Sequence, residues 1–185
     1  MVESQGVAAW ELLGESAKLD GFRRVVSRRY RLPSGEESDW DILAGGRTVA
    51  VVAVTDDDRV VMARQFRPGP AKVMTELPGG NVDDDDDSVE TAAARELLQE
   101  TGYEAASLEM IGQTWLAAYA THERFCVVAR GCRRVAEPTP DREEFLEPVE
   151  LSMPDFVQHV LTGQLTDQDV ALRGLMALGV LTSTC

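Results

Sequence analysis

Residues 76–103 read ELPGGNVDDDDDSVETAAARELLQETGY, and this stretch decides the fold. The pair Gly79-Gly80 lets the backbone turn sharply and bring a carbonyl or amide close to a ligand. Residues 88–102 then carry helix signals, with Ser88 as a candidate N-cap and Gly102 where helices commonly end. The order therefore predicts a Gly-rich loop that leads into an acidic helix.

Two carboxylates are spaced for one face of this helix. Glu96 and Glu100 lie four residues apart, and Gln99 lies beside them. Two carboxylates so placed repel each other unless a cation sits between them. Oxygen ligands of this kind suit Mg²⁺ or Mn²⁺. Taken alone, the pair rather indicates a solvated helix face, because glutamates four residues apart are common in helices.

The segments on either side of this stretch alternate between strand and helix patterns. Thr48–Thr55 is a continuous apolar run, which predicts a strand buried on both faces. Ser152-Met-Pro-Asp155 has the pattern of a helix start, and Gly163 ends that helix. Further segments are predicted from composition and turn residues: a hairpin of 21–32 with 37–43, strands at 59–66, 104–119 and 125–133, and a last helix at 166–181.

This order of elements predicts an α/β (α+β) protein in which helices flank a mixed sheet. Gly45-Gly46 interrupts the strand-rich first segment. We therefore expect an N-terminal strand-rich arm at 1–45, with a possible role in dimerisation and base binding, and a main domain at 46–185.

The charge balance limits the partners. The 185 residues include 18 Lys and Arg against 32 Asp and Glu, a net charge of −14, which argues against nucleic acid and anionic membranes as partners. An acidic protein that binds an anionic substrate needs a cation or a few well-placed arginines. Neither a secretory signal nor an apolar run of about 20 residues is present. Cys126, Cys132 and Cys185 form no disulfide or metal pattern, which predicts reduced thiols and a cytoplasmic location.

The stretch Gly80–Tyr103 resembles the Nudix box, whose pattern is G-x5-E-x7-R-E-U-x-E-E-x-G-U, where U is a bulky aliphatic residue. Six positions match: Gly80, Arg95, Glu96, Leu97, Glu100 and Gly102. Three positions depart from the pattern. Asp87 replaces a Glu after one additional residue, Gln99 replaces a Glu, and Tyr103 replaces an aliphatic residue. The resemblance implies a Nudix-type α/β/α sandwich that hydrolyses a diphosphate with a divalent cation.

The resemblance also implies roles for single residues. Glu96, Glu100 and the backbone carbonyl of Gly79 would hold the cation. Gln99 would lie among these ligands as an uncharged oxygen, which leaves the number of metals open. Arg95 would orient the helix carboxylates and, with Glu100, belong to the catalytic residues. The acidic run 83–87 is interpreted as a solvated loop.

The likeness extends to one branch of that family, the ADP-ribose pyrophosphatases. It is carried by RQFRP at 64–68, TELPG at 75–79, ERF at 123–125, DREEFLE at 141–147 and LTGQLTD at 161–167. This resemblance implies that Arg67 and Glu76 bind substrate. It also implies that a carboxylate on the late loop activates water, with Glu144 as the choice and Glu143 and Glu147 as alternatives.

In relatives of this branch, aromatic residues of the N-terminal arm stack on the nucleobase, and the arm is exchanged across a homodimer. Trp40, and less so Trp10, is the candidate here; a core position is the alternative. The branch usually has a Pro-Gly pair shortly before its Glu-Arg, and residues 117–122 contain no proline. His122 in this stretch is interpreted as structural or as a neighbour of the site.

The leading hypothesis is therefore a Mg²⁺-dependent hydrolase that converts a nucleoside diphosphate-sugar, with ADP-ribose as the leading candidate, to a nucleoside monophosphate and a sugar phosphate. Two alternatives stay open. One is a Nudix module that senses a nucleotide with weak or no catalysis, and the other is a house-cleaning hydrolase of nucleoside triphosphates.

Overall fold

The computed structural model describes residues 8–142 and 144–181. Two residues considered above, Glu143 and Cys185, lie outside the described residues. The chain divides into two compact units, one formed by residues up to Gly46 together with Trp115–His122, and the other by Arg47–Thr114 with the residues from Glu123 onward. The predicted division into 1–45 and 46–185 remains a prediction.

The first unit contains a three-stranded antiparallel sheet of β1 (Glu11–Asp20), β2 (Arg24–Arg31) and β3 (Glu37–Ala44). The hairpin predicted between the second and third of these strands is confirmed, with Arg31 opposite Glu37. Gly35 in the turn has φ of 87°, a left-handed conformation that glycine adopts readily.

The second unit is built on a mixed sheet. Its strands are β4 (Arg47–Thr55), β5 (Arg59–Arg67), β6 (Lys72–Glu76), β7 (Gly79–Asn81), β8 (Tyr103–Glu104), β9 (Ser107–Trp115, whose last residue groups with the first unit), β10 (Glu123–Arg134) and β11 (Leu146–Ser152). The central order is β11-β5-β4-β10-β8. The pair β4–β10 is parallel, whereas β5 runs antiparallel to both β4 and β11.

Three helices cover this sheet: α1 (Val89–Thr101), α2 (Met153–Leu161) and α3 (Gln168–Ala177). Alternate residues of β4 face opposite sides. Val49, Val51 and Ala53 pack in a cluster with α1, whereas the alternate residues of the strand pack with α2 and α3. This arrangement confirms the predicted α/β/α sandwich and the strand buried on both faces.

Two predicted elements are shorter in the structure than the sequence suggested. The strand predicted at 104–119 ends at Trp115, because a turn closed by Ala120 N to Ala117 O follows. The last helix spans Gln168–Ala177, and Gly179 beyond its end has φ of 72°. No helix in the described part of the chain is both long and apolar enough to span a membrane.

Candidate active site

Helix α1 is held in place by caps at both ends. The Ser88 hydroxyl accepts a hydrogen bond from the Thr91 N–H at 3.1 Å, which satisfies one of the free donors of the first turn. Gly102 is left-handed, with φ of 76°, and its N–H donates to the Leu98 carbonyl. Both caps agree with the sequence prediction, so the helix carboxylates occupy defined positions.

Glu100 is a buried carboxylate at the centre of the site, 3% exposed. Its Oε2 accepts a hydrogen bond from the Gly79 N–H at 2.9 Å, which ties the Gly-rich segment to the helix. Burial raises the pKa of Glu100 to about 8; the Gly79 hydrogen bond opposes this rise, and the charges of Glu96 and Glu144 add to it. These surroundings disfavour a negative charge on Glu100.

Glu96 lies one turn before Glu100 on the same helix. Its pKa is also raised, first by burial and further by the charges of Glu144 and Asp83, although the neighbouring Arg95 opposes the rise. A Cβ added at Gly80 would overlap the Glu96 carboxylate, so a side chain at that position would displace it. The glycine therefore creates the space that this carboxylate occupies.

Arg95 gathers the acidic groups around the helix. Its guanidinium contacts Glu96 at 2.7 Å and Gln99 Oε1 at 3.3 Å, and it also donates to the Asn81 carbonyl. The interpretation of the run 83–87 as a solvated loop holds for most of its residues but not for Asp86. The Asp86 side chain is 7% exposed and accepts from Arg95 at 3.0 Å.

Asp86 is a residue that sequence reasoning missed. The pattern aligned Asp87 with the box glutamate, and five consecutive aspartates give no local signal that selects one of them. The hydrogen bonds to Asp86 and Glu96 raise the pKa of Arg95, and the hydrogen bond from Arg95 lowers the pKa of Asp86. The predicted metal-binding role of Gln99 stays a prediction, with its oxygen facing Arg95.

Glu144 lies in an exposed loop that precedes β11. Its N–H donates to the Asp141 carbonyl at 2.9 Å, and its Oε2 accepts from the Asp141 N–H at 3.3 Å. Its negative charge is one of the causes that raise the pKa of Glu96 and of Glu100, after burial. Glu147, the alternative within the described residues, lies on β11 opposite Arg64. The role of Glu144 as the general base stays a prediction.

Arg67 and Glu76 form an ion pair through Arg67 Nε and Glu76 Oε2. Glu76 is fully buried, and its other oxygen accepts from the Thr166 N–H at 2.9 Å. We expected Glu76 to bind substrate directly, but a side chain that is fully buried has no exposed surface for a substrate to contact. Arg67 is partly exposed, and its positive charge counteracts the raised pKa of Glu100, so it lies near the carboxylates.

Two further predicted residues lie in the first unit. Trp40 is 46% exposed, and its ring packs on Trp10 with 5.3 Å between centroids. Its predicted stacking on a nucleobase is untested. A Cβ at Gly45 would overlap the His122 ring, so this histidine packs closely on the Gly45 backbone.

Tyr103 replaces the aliphatic residue that is usual at its position. Its ring is buried in the cluster beneath α1, and its hydroxyl donates to Glu150 Oε1. Burial and this hydrogen bond raise the pKa of Tyr103 to about 12. The tyrosine therefore keeps the packing role of the aliphatic residue and adds a tie to β11.

The pair Glu96 and Glu100 fits a divalent cation. Within residues 8–142 and 144–181, no group of three His, Cys, Asp or Glu side chains is arranged to hold a metal. Mg²⁺, however, commonly binds through one or two carboxylates together with water and substrate phosphates. The raised pKa of Glu100 reflects an uncompensated buried charge, which a cation would offset.

Comparison with known proteins agrees with this geometry. A NUDIX domain model matches residues 44–168. The chain is 31% identical over 142 residues to an ADP-ribose pyrophosphatase of Bacillus subtilis (strain 168), covering 76% of each chain. It is 30% identical over 148 residues to a methanol dehydrogenase activator of Bacillus methanolicus, covering 76% of this chain and 77% of that one. A crystal structure of an ADP compounds hydrolase superposes with a TM-score of 0.79 at 19% identity, covering 96% of this chain and 100% of the other, and shows the shared fold.

Proposed function

We propose that this chain cleaves ADP-ribose, with Mg²⁺ as its cofactor and Mn²⁺ as a substitute. The premise is that the chain belongs to the Nudix family and is a Nudix pyrophosphohydrolase. The products would be AMP and ribose 5-phosphate. The observation that carries the proposal is the pair of carboxylates on α1, in which Glu100 accepts from the Gly79 N–H and Glu96 is held by Arg95. Two curated relatives of this chain, from Bacillus subtilis and Mycobacterium tuberculosis, bear the name ADP-ribose pyrophosphatase.

The helix carboxylates would hold the cation. Glu96 and Glu100 provide the charged oxygens, and the Gly79 carbonyl and Gln99 are the further proposed ligands. Bound Mg²⁺ supplies polarisation of the diphosphate and offsets the charge that develops on its oxygens. Arg95, fixed by Asp86, keeps the Glu96 carboxylate in one orientation.

The chain's own groups would perform the remaining work. Arg67 binds diphosphate oxygens through its planar guanidinium, whose donors can reach two oxygens of one tetrahedral phosphate group. Glu144 accepts a proton from water as the water oxygen forms a bond to one phosphorus and the bridging P–O bond breaks. The exposed position of Glu144 allows it to release that proton to solvent.

The test is a substrate panel with the purified protein in Mg²⁺, in Mn²⁺ and in EDTA. The panel contains ADP-ribose, other nucleoside diphosphate-sugars and nucleoside triphosphates, with products resolved by mass. We expect AMP and ribose 5-phosphate with either metal and no product in EDTA. Pyrophosphate released from a triphosphate would instead support the house-cleaning alternative.

Two matched variants test the residue roles. Glu144→Gln should lower kcat by about 10² to 10⁴, the range of a lost general base, whereas Glu147→Gln should stay within a few-fold of wild type. The reverse order would transfer the role to Glu147. Glu100→Gln should nearly abolish turnover in a folded protein, and an unchanged kcat would exclude Glu100 from the mechanism.

A second candidate is a regulatory protein that binds a nucleotide without rapid cleavage. It is favoured by Gln99 at a box position that usually bears a carboxylate and by the relative named as a methanol dehydrogenase activator. Tight binding of ADP-ribose by calorimetry, with no product after long incubation in Mg²⁺, would support this candidate over the first.

We also propose that the protein is a homodimer and that its arm at 1–45 places Trp40 against the nucleobase. Sedimentation or light scattering tests the dimer. Trp40→Ala should then raise the KM for ADP-ribose several-fold while kcat changes little, because a stacking contact contributes about 1 kcal/mol.

A further inference from the structure

A chain of hydrogen-bonded polar side chains runs within the second unit from Arg67, through the buried Glu76, to the buried Arg124, and the mechanism above uses only its first member. We call it the Arg67–Arg124 network, and it consists of Arg67, Glu76, Thr166, Asp167 and Arg124. Its members come from β5, β6, β10 and the loop between α2 and α3. The network therefore connects a proposed substrate-binding arginine to a loop more than 90 residues further along the chain.

Glu76 is the junction of this network, and its two oxygens have different partners. Oε2 accepts from Arg67 Nε, whereas Oε1 accepts from both the Thr166 N–H at 2.9 Å and the Thr166 hydroxyl at 2.5 Å. Burial would raise the pKa of Glu76, but the hydrogen bonds from Thr166 and Arg67 outweigh it and the pKa is lowered. The carboxylate is thus ionised and cannot rotate without losing partners on both oxygens.

Thr166 is itself held from the opposite side by Arg124, which is 8% exposed. Arg124 donates to the Thr166 carbonyl at 3.3 Å and forms ion pairs with Asp167 and, at 3.0 Å, with Asp169. Asp167 occupies the N-cap position of α3, yet its side chain makes no capping hydrogen bond. Its carboxylate pairs with Arg124, so the turn is fastened to β10.

Arg67 is left with a defined orientation. It uses Nε for Glu76, and within residues 8–142 and 144–181 its two terminal nitrogens have no hydrogen bond or ion pair. An arginine held by one edge of its fork loses less side-chain entropy when the other edge binds a phosphate. The Arg67 side chain as a whole is 36% exposed.

We propose that the Thr166–Asp167 turn, fastened by Arg124, is a positioning element for Arg67 that sets the affinity of the site for the substrate diphosphate. This inference rests on the proposed function, because it assigns Arg67 to the diphosphate. Thr166 touches neither substrate nor cation in this scheme and acts through Glu76. The competing explanation is that the network only stabilises the fold.

The test removes the Thr166 hydroxyl and retains or removes Arg67. Thr166→Val loses the hydroxyl, and Thr166→Ser is the conservative rescue. Thr162→Val is the control, because it removes a hydroxyl that bonds only to the nearby His159 carbonyl and Gln164 N–H. Each change is made in the wild type, and Thr166→Val is also made in Arg67→Ala. KM and kcat for ADP-ribose with Mg²⁺, the Kd in EDTA, and the Tm are measured.

We expect Thr166→Val to raise KM and Kd about fivefold to tenfold with kcat within about twofold, a change that corresponds to the net contribution of one hydrogen bond. Thr166→Ser should recover most of this loss, and Thr162→Val should not raise KM. In the Arg67→Ala background, Thr166→Val should cost no further affinity, because the group that it positions is gone.

Two results would overturn the positioning role. One is the same loss of affinity with and without Arg67, and the other is a lowered Tm with unchanged KM and Kd. A wild type that binds ADP-ribose without cleaving it refutes the proposed reaction while the Kd comparison still decides the inference. A wild type that neither binds nor cleaves ADP-ribose overturns both proposals.

Discussion

The Glu100 carboxyl should make the stability of the metal-free protein depend on pH in an unusual direction. Its pKa is about 8 in the folded protein against an ordinary value of 4.5. The folded state therefore keeps a proton that the unfolded state has already lost. The stabilising contribution is complete below pH 4.5 and is lost as the pH rises through 8. Most carboxylates that are paired in folded proteins act in the opposite sense.

The magnitude follows from the difference between the two pKa values. The two pKa values differ by about 3.5, and each pKa unit corresponds to about 1.4 kcal/mol. The free energy of unfolding should therefore fall by about 5 kcal/mol between pH 4.5 and pH 8. This is an upper figure, and it is still a large part of the roughly 5–15 kcal/mol that stabilises a typical domain. Glu100→Gln removes the titration, and the amide oxygen of the replacement can still accept from the Gly79 N–H.

The assay is urea denaturation of wild type and Glu100→Gln in EDTA, from pH 5 to pH 8.5. As the pH rises, the free energy of unfolding of the variant should increase relative to that of the wild type by about 1 kcal/mol for each pH unit, because all other groups titrate in both proteins. Glu109→Gln, which removes an exposed carboxylate from β9, is the control and should show no such trend. Added Mg²⁺ should stabilise the wild type more than the variant at pH 8. A difference between the two proteins that does not change with pH would refute the reasoning.

Three further substitutions test the site around the helix. Gly80→Ala should lower kcat at least tenfold with a small change in Tm, because the new Cβ would displace the Glu96 carboxylate. Asp86→Asn should lower kcat about tenfold in steady-state assays, because Arg95 keeps Asp83 and Glu96 but loses the carboxylate that accepts from both its Nε and its Nη2, and so orients the helix carboxylates less well. Gln99→Glu should lower the Mg²⁺ concentration that gives half-maximal activity several-fold, since it adds a carboxylate to the same helix face.

Matched controls accompany these variants. Gly46→Ala adds a methyl group where no atom lies within 4 Å, and Asp85→Asn removes a neighbouring exposed charge of the acidic run. Both should keep the wild-type kcat. Equal kcat for Gly80→Ala and wild type, or equal losses for Asp86→Asn and Asp85→Asn, would contradict the geometric argument. A Mg²⁺ requirement unchanged by Gln99→Glu would place that residue outside the metal site.

Features that depend on neighbours in the sequence were predictable. The helix over 88–102, with Ser88 and Gly102 at its ends, follows from caps and composition that act within a few residues. The strand at 48–55 follows from an apolar run whose alternate residues feed two clusters. Residues with helical spacing share a face in any helix, so the pairing of Glu96 with Glu100 needed no tertiary information.

The same sequence could not indicate which acidic residues are buried or what they contact. Among five consecutive aspartates, Asp83 and Asp86 both pair with Arg95, and only packing against the helix selects Asp86 as the buried partner. The Glu100 carboxylate meets the N–H of Gly79, 21 residues earlier, and Glu76 meets Thr166, 90 residues later. No local pattern encodes contacts over such separations.

The sequence by itself therefore determined the order of the elements and the chemistry available on one helix face, because backbone hydrogen bonds and side-chain periodicity are local. The tertiary structure alone decided the state of those groups. Folding removes Glu100 and Glu76 from water. Burial, aided by the charges of Glu96 and Glu144, raises the pKa of Glu100, whereas hydrogen bonds from Thr166 and Arg67 outweigh burial and lower the pKa of Glu76. Two glutamates that look alike in the sequence become a proposed metal ligand and an ionised support for Arg67.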